Sequence, residues 1–134
     1  MNNTSVILLF QAGNKKFLFP GDAQLENWLF ALSQEKNKKL LRDVNVYKVG
    51  HHGSLNATPK SLWGLFTNRK TTHSAKRLQS VVSTMAGKHG TTSKGTEVPR
   101  SKLVDELKKN SNYFTTQDLR GKNSIRKDFE FDLG

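Results

Sequence analysis

Two short motifs in this chain carry the residue types that could do chemistry. Gly21-Asp22 ends one apolar run and His51-His52 ends another, and both runs are rich in strand-forming residues. A carboxylate and an imidazole at the carboxyl ends of adjacent strands can converge on one metal ion, since α/β proteins place ligands at that edge. Bound ions there would lower the pKa of a shared water and polarise a phosphoryl or acyl oxygen. The pattern therefore indicates metal-dependent hydrolysis.

Each motif also has a purely structural interpretation. Asp22 stands just before a helical pattern, so it could be the N-cap of that helix. The structural interpretation of His51-His52 is weaker, because polar imidazoles are poor choices at the end of an apolar strand unless they perform a function. Of the other two histidines, His73 lies in a basic loop and is expected to be exposed, and His89 lies in a glycine-containing loop.

Composition limits which metal ligands the chain can offer and where in the cell we expect it. The 134 residues suit one domain or part of a larger one, and about a third of them are hydrophobic. The absence of cysteine excludes disulfides and thiolate ligands, so a transition-metal site must use His, Asp and Glu, which suit zinc, manganese or iron. The N-terminal apolar run is too short to span a bilayer and lacks signal-peptide features, so we expect a cytoplasmic chain with no membrane partner.

Positive charge is concentrated in one part of the chain. The formal net charge is +11, and residues 68–102 hold eight Lys or Arg against the single acid Glu97. A basic field of this kind favours polyanions, so we predict nucleic acid as a partner of segment 69–102. A solvated basic surface without a partner is the alternative. Aromatic residues are not interleaved with the segment, which disfavours single-strand binding by base stacking.

The apolar periodicity predicts the element order β-β-α-β-α-β-α-β-β and a layered α/β domain. Strands are predicted at residues 4–11, 16–19, 44–49, 78–84, 113–115 and 125–131, and residues 34–39 as a polar helix end or loop. Helices are predicted from residue 23, at 59–66 with Thr58 as N-cap, and at 99–109. The residues predicted to be buried are Leu25, Trp28, Leu29, Leu32, Val46, Val49, Val81 and Leu107.

The two motifs and their flanking elements resemble a known family. Strand-Gly-Asp-Ala-helix, followed by strand-Gly-His-His-Gly-Ser and a helix, resembles the C-terminal half of the metallo-β-lactamase fold. The hydrolase domain of ComEC-type DNA-uptake competence proteins is the member it resembles most, through SVILLFQAGNKKFLFPGDA and DVNVYKVGHHGS. The resemblance extends to about residue 121. It implies the C-terminal half of an αββα sandwich, with a mixed sheet, helices on one face and an uncovered apolar face.

The resemblance also implies roles for four residues. Asp22 would bridge two divalent metal ions, zinc or manganese. One histidine of the His51-His52 pair would bind the second ion; His52 is the favoured ligand, and His51 would then support it or touch substrate. His89 would sit near the leaving group or phosphate, although Thr91 stands where the family often has proline.

One family motif has no counterpart in this chain. The His-x-His-x-Asp-His motif of the N-terminal half matches nothing here. The chain could therefore be a fragment, one half of a split enzyme or a degenerate domain. We expect part of a metal-dependent hydrolase, phosphodiesterase-like or nuclease-like, that is incomplete alone and pairs with an N-terminal half or with itself. The alternative is a non-catalytic basic module that binds nucleic acid or a partner protein.

Overall fold

Strands and helices alternate along the chain to build one mixed sheet with packed helices. The computed structural model describes residues 4–85, 87–88, 90–123 and 126–134. The strands are β1 Leu8–Ala12, β2 Lys15–Phe19, β3 Val46–Lys48, β4 Gln79–Val82 and β5 Asn112–Thr115. The α-helices are α1 Leu25–Leu32, α2 Glu35–Leu41, α3 Lys60–Leu65 and α4 Ser101–Asn110. The predicted α/β class is thus confirmed.

The sheet has the order β1-β2-β3-β4-β5, which follows the chain. β1 and β2 form an antiparallel hairpin, and β2 to β5 run parallel to one another. Parallel neighbours that follow one another across a sheet by right-handed crossovers carry their connecting helices on a single face. The main hydrophobic cluster agrees, since it joins residues from all four helices to residues from the strands.

The strand register identifies the side chains that face the helices. Leu18 of β2, Tyr47 of β3, Ser80 of β4 and Tyr113 of β5 align across the sheet and therefore share a face. Leu18 and Tyr47 are fully buried in the cluster. The Tyr47 ring packs on Phe66 at the end of α3, with ring centroids 5.2 Å apart. The core thus lies between this face and the helices.

Helix α1 buries a different stripe from the one that its sequence predicts. Trp28 and Leu32 are buried as expected, but Leu25 and Leu29 are 40% and 58% exposed. Leu29 lies about 100° round the helix from Trp28, so both cannot be central to the same buried face. Trp28 takes the centre, and Ala31 packs on its other side. The predicted burial of Leu25 and Leu29 is therefore wrong, because the bulkiest side chain sets the rotation of the helix.

The other predicted core positions hold with one exception. Val46, Val49 and Leu107 are buried, whereas Val81 is only half-buried. Val81 pairs with Lys48 in the register and so faces away from the helices.

Three local predictions differ from the structure. In place of the predicted polar helix end or loop at 34–39, residues 35–41 form a helix of their own, α2. The strand predicted at 125–131 is absent from residues 126–131, and residue 125 lies outside the described residues. The N-cap of α3 is Pro59, because the Thr58 hydroxyl is hydrogen-bonded instead to the Tyr47 hydroxyl at 2.8 Å.

The sheet face opposite the helices, called the open face below, is partly uncovered. Phe10, Phe17 and Val46 align on it, as do Leu8 and Phe19. Leu8, Phe10 and Phe19 are 55%, 54% and 42% exposed. Contiguous exposed apolar side chains mark interaction surfaces more often than isolated ones do.

Residues 126–134, called the strap below, cross this open face. The Phe131 ring meets Phe17 edge-on at 5.6 Å, and the Phe129 ring meets Phe114 at 6.1 Å. The strap reaches the β1–β2 turn, where the Asn14 N–H donates to the Leu133 carbonyl at 3.0 Å. Because its aromatic rings lie on the sheet instead of beside an edge strand, the strap covers the face without extending the sheet.

The longest helix in the described part of the chain, α4, has ten residues. No helix there has the length and apolar composition needed to cross a bilayer.

Burial of Tyr47 predicts a specific loss of stability at high pH. Burial raises the pKa of the Tyr47 phenol well above its usual value, against the opposing effect of its hydrogen bonds. The unfolded state therefore releases this proton first, so the free energy of unfolding falls as pH rises above about 10. We expect Tyr47→Phe to cost about 1 kcal/mol at neutral pH through the lost Thr58 bond. The variant should nevertheless show a shallower alkaline decline in urea unfolding, and an identical decline would contradict this account.

Candidate functional site

The structure brings the two sequence motifs together at the carboxyl edge of the sheet. Gly21-Asp22 follows β2, and His51-His52 follows its parallel neighbour β3. The backbone N–H of His51 donates a hydrogen bond to the Gly21 carbonyl at 3.2 Å. Two loops separated by about thirty residues are therefore in direct backbone contact, at the edge where α/β sheets place ligands.

Two glycines allow this close approach. Gly21 has a positive φ of +57°, which a residue without Cβ adopts at little cost. A Cβ on Gly50 would lie 3.1 Å from the Gly21 carbonyl oxygen and 3.2 Å from Pro20 Cγ. Side chains at these positions would strain the turn or separate the loops, so the Gly-Asp and Gly-His-His sequences fit the contact that they make.

Asp22 is exposed in the turn after β2 and does not cap α1. The N-cap is Gln24, whose backbone N–H donates to the Asn27 side-chain oxygen at 3.0 Å. The alternative role of Asp22 as a helix cap is therefore wrong. Burial lowers the pKa of the nearby Lys48 ammonium group, and the negative charge of Asp22 partly opposes that shift. The Asp22 carboxylate thus acts electrostatically on the end of β3.

His52 is oriented by a backbone carbonyl from the next strand. Its Nδ1 lies 2.7 Å from the carbonyl oxygen of Ser83, just after β4. Because a carbonyl oxygen only accepts, Nδ1 carries the proton in this bond. A backbone carbonyl bonded to one ring nitrogen is an arrangement that also orients metal-binding histidines. The role of His52 as the metal ligand stays a prediction.

His51 faces a different environment. Its Nδ1 lies 3.2 Å from the Ser54 hydroxyl, and its ring centroid is 6.3 Å from that of His52. The half-buried side chain lines a cavity of about 280 Å³ together with Asn56 and Arg100. An imidazole beside a cavity that also presents a guanidinium can touch an anionic ligand, which matches the role the resemblance implies for His51.

Both histidines hold an uncommon backbone conformation. Their φ values are +42° and +55°, and no other non-glycine residue in the described ranges has a positive φ. This region costs an L-residue about 1–2 kcal/mol. Unfavourable backbone conformations of this kind concentrate at binding and catalytic sites, where the position of the side chain matters more than local stability.

Relief of this strain gives a testable stability effect. We expect His51→Gly to leave the free energy of unfolding unchanged or to raise it by up to about 1 kcal/mol, because strain relief offsets the chain entropy of glycine. The matched control is His73→Gly in an exposed loop without positive φ, which should cost about 0.5–1 kcal/mol. Urea midpoints measure both changes. Equal losses in the two variants would show that His51 is not strained.

The described residues do not form a complete metal site. Within the described ranges, no three or more His, Cys, Asp or Glu side chains are placed to hold a metal ion together. A catalytic zinc normally has three protein ligands. Asp22 and His52 can supply two. His89, predicted near the leaving group, lies outside the described residues.

Sequence reasoning missed three contributors to this edge. The Ser83 carbonyl orients His52, and a backbone group leaves no sequence signal. Lys48 was counted only as part of a strand, yet its electrostatic coupling to Asp22 places it beside the site. Arg100 was counted only as one charge of the basic segment, although it lines the cavity next to His51.

The basic segment divides into structural and exposed charges. Arg77 is only 3% exposed, and its guanidinium donates to the Asn112 side chain at 2.6 Å and to the Lys70 carbonyl at 3.0 Å. Arg69 lies over the Trp63 ring and donates to the Phe66 carbonyl. These two arginines hold the loop to the domain. The exposed charges of the segment are Lys70, Lys76, Lys88, Lys94 and Lys102.

Comparison of the chain with protein-family models, with curated proteins and with solved structures finds no match.

Proposed function

We propose that this chain is part of a metal-dependent phosphodiesterase of the metallo-β-lactamase type and supplies Asp22 and His52 to its metal site. The observation that carries the proposal is the hydrogen bond from the His51 N–H to the Gly21 carbonyl. It joins the Gly-Asp and Gly-His-His motifs at one sheet edge, in the order and on the strands that the family resemblance implies. The hydrogen bond between His52 Nδ1 and the Ser83 carbonyl adds support, because a carbonyl bonded to one ring nitrogen fixes the orientation of a metal-binding histidine.

The proposed substrate class follows from the charge beside the site. Arg100 and His51 line one cavity, and the chain carries a net charge of +11. An anionic phosphodiester fits this surface better than a neutral ester does. Two divalent ions, zinc or manganese, would supply an activated water and a polarised phosphoryl oxygen when bound. The remaining ligands would come from outside the described residues, because those residues form no three-ligand group.

Metal content tests this proposal without any activity measurement. After dialysis against zinc, we expect no stoichiometric metal in the isolated chain. The same chain should hold two ions when combined with an N-terminal half that carries the His-x-His-x-Asp-His motif. Asp22→Ala should remove metal from the complex, whereas the control His73→Ala should not. Two tightly bound ions in the isolated chain, or none in the complex, would refute the proposal.

The second candidate function is a non-catalytic module that binds nucleic acid. The observation that favours it is the set of exposed lysines in residues 70–102. Each neutralised phosphate releases counterions, so binding should weaken as the salt concentration rises. The logarithm of the binding constant should fall with the logarithm of the salt concentration, with a slope of about −0.7 per phosphate contact on a single strand.

This second candidate predicts which lysines set the salt dependence. We expect Lys76→Gln and Lys94→Gln each to reduce the magnitude of this slope by about 0.7, because each removes one phosphate contact. The control Lys36→Gln, on an exposed position of α2, should leave it unchanged. Fluorescence anisotropy with a labelled oligonucleotide between about 50 and 200 mM salt measures the slope. Salt-independent binding would exclude this electrostatic mode.

A further inference from the structure

A larger cavity lies between α3 and α4, beside the one that His51 lines. Its volume is about 580 Å³, within the range of small-molecule sites. Leu55 and Arg100 line both cavities, so the two adjoin each other. Neither the Asp22 turn nor the His52 ring lines the larger cavity, so this cavity lies outside the proposed metal site.

The walls of this cavity are apolar and its rim is cationic. Leu55, Pro59, Trp63 and Leu103 supply apolar surface, and the Lys60 and Lys102 side chains are exposed at the edge. Arg100 stands where the two cavities join, held by the Glu97 carboxylate at 3.4 Å. An apolar slot with converging cations suits a ligand that combines a flat ring with a phosphate. A bare phosphate would leave the apolar walls unfilled.

One half-buried carboxylate gives the cavity a hydrogen-bonding preference. Glu106 lines it, and Glu106 Oε1 accepts from the Trp63 indole N–H at 2.9 Å and from the Asn110 amide at 2.7 Å. Both bonds fall on Oε1, which leaves Oε2 to accept from a ligand. Carboxylates accept from the exocyclic amino groups of cytosine and adenine, whereas the carbonyl groups of uracil and thymine repel them.

We propose that the groove between α3 and α4 binds a nucleoside monophosphate unit whose base carries an exocyclic amino group. The base occupies the slot lined by Leu55 and Trp63 and donates to Glu106. The phosphate lies at the rim near Lys102 and Arg100, which places the neighbouring unit of a strand on the His51 side. The inference deepens the proposed function by naming its substrate unit, but binding here needs neither metal nor hydrolysis.

Indole N–H signals in a ¹H–¹⁵N spectrum test the site directly. The Trp63 indole N–H bonds Glu106 beside the cavity, whereas the Trp28 indole N–H bonds the Ala57 carbonyl in the core. Titration with adenosine 5′-monophosphate should shift the Trp63 signal and leave the Trp28 signal in place. Inorganic phosphate and uridine 5′-monophosphate should each need a concentration at least about tenfold higher to produce the same shift of the Trp63 signal.

Matched variants separate this site from general surface charge. We expect Lys102→Gln to weaken adenosine monophosphate binding about tenfold, and the control Lys36→Gln, at an exposed position of α2 outside the cavity, to have no effect. Glu106→Gln keeps an oxygen for the Trp63 indole but adds an amide donor, so it should abolish the preference for adenosine over uridine.

The same chemistry occurs in a free nucleotide and in a single strand. A short oligodeoxyadenylate that binds at least about tenfold more tightly than the mononucleotide would assign the strand as the ligand, and equal affinity would assign the free nucleotide. Three results would overturn the proposal: unchanged nucleotide affinity in Lys102→Gln, a Trp63 shift with phosphate alone equal to that with adenosine 5′-monophosphate, or no Trp63 shift at all. Those outcomes leave the metal-content test of the proposed function untouched, so the two can fail separately.

Discussion

Asp22→Ala is expected to lower kcat/KM for a nitrophenyl phosphodiester by more than about a hundredfold in a complex of this chain with an N-terminal half that carries the His-x-His-x-Asp-His motif. Loss of groups that only orient metal ligands costs about 10- to 100-fold, so loss of a bridging ligand should cost more. Asp22 is exposed and does not cap α1, so its removal should leave the fold intact. Unchanged urea unfolding of the variant would confirm that the loss is not structural.

Companion variants make this result specific. His52→Ala should approach the effect of Asp22→Ala, because His52 is the second proposed metal ligand and its ring is oriented by the Ser83 carbonyl. His51→Ala should have a smaller effect, expressed mainly in KM, because His51 lines the adjoining cavity. The isolated chain should show no efficient hydrolysis with zinc or manganese, and His73→Ala should match the unmodified complex. Full activity of the Asp22→Ala complex would refute the family assignment at its central residue.

Much of the sheet could be predicted because its signals are local. The hairpin of β1 and β2 and the strand β3 are short apolar runs bounded by turn residues, and such runs indicate strands wherever they occur. The meeting of the Gly-Asp and His-His motifs could also be predicted, because adjacent parallel strands end at the same edge.

The wrong predictions concern elements whose form or orientation depends on tertiary packing. The rotation of α1 depends on Trp28 filling the core, which the spacing of Leu25 and Leu29 does not reveal. Residues 35–41 have no helical apolar stripe, but they contain good helix formers, and burial of Leu41 in the core stabilises them as α2. The alternation in residues 126–131 is real, yet its aromatic side chains pack on a sheet face instead of pairing at an edge.

At the candidate site, too, the partners of the key side chains could not be predicted from the sequence. Nothing in the sequence distinguishes the buried Arg77 from the exposed lysines around it, because its partners are backbone carbonyls and the Asn112 side chain. The orientation of His52 likewise depends on a carbonyl, and every residue has one. Sequence therefore identified which residues could act, and only the structure identified their partners.

Deletion of the strap, residues 126–134, should convert the chain into a self-associating species. The strap covers Phe17 and Phe114, while Leu8, Phe10 and Phe19 on the same face are already exposed. Its removal would join these side chains into one apolar surface, of the kind that marks an interface. In sedimentation velocity, the dissociation constant for self-association should fall at least about tenfold relative to the full chain, since burying even one aromatic ring stabilises a complex by about 1.5–3 kcal/mol.

The strap's own charges supply the control, and the N-terminal half supplies the functional readout. Asp128 and Glu130 are exposed, so Asp128→Asn with Glu130→Gln should leave self-association unchanged.

If the open face is where the other half of the enzyme packs, the strap competes with that half for the face. Deletion should then raise the affinity for the N-terminal half at least about tenfold as well, because the partner no longer has to displace Phe129 and Phe131. A deletion variant that stays monomeric and gains no affinity for that half would show that the strap merely fills the face, and that the missing ligands must approach from elsewhere along the sheet edge.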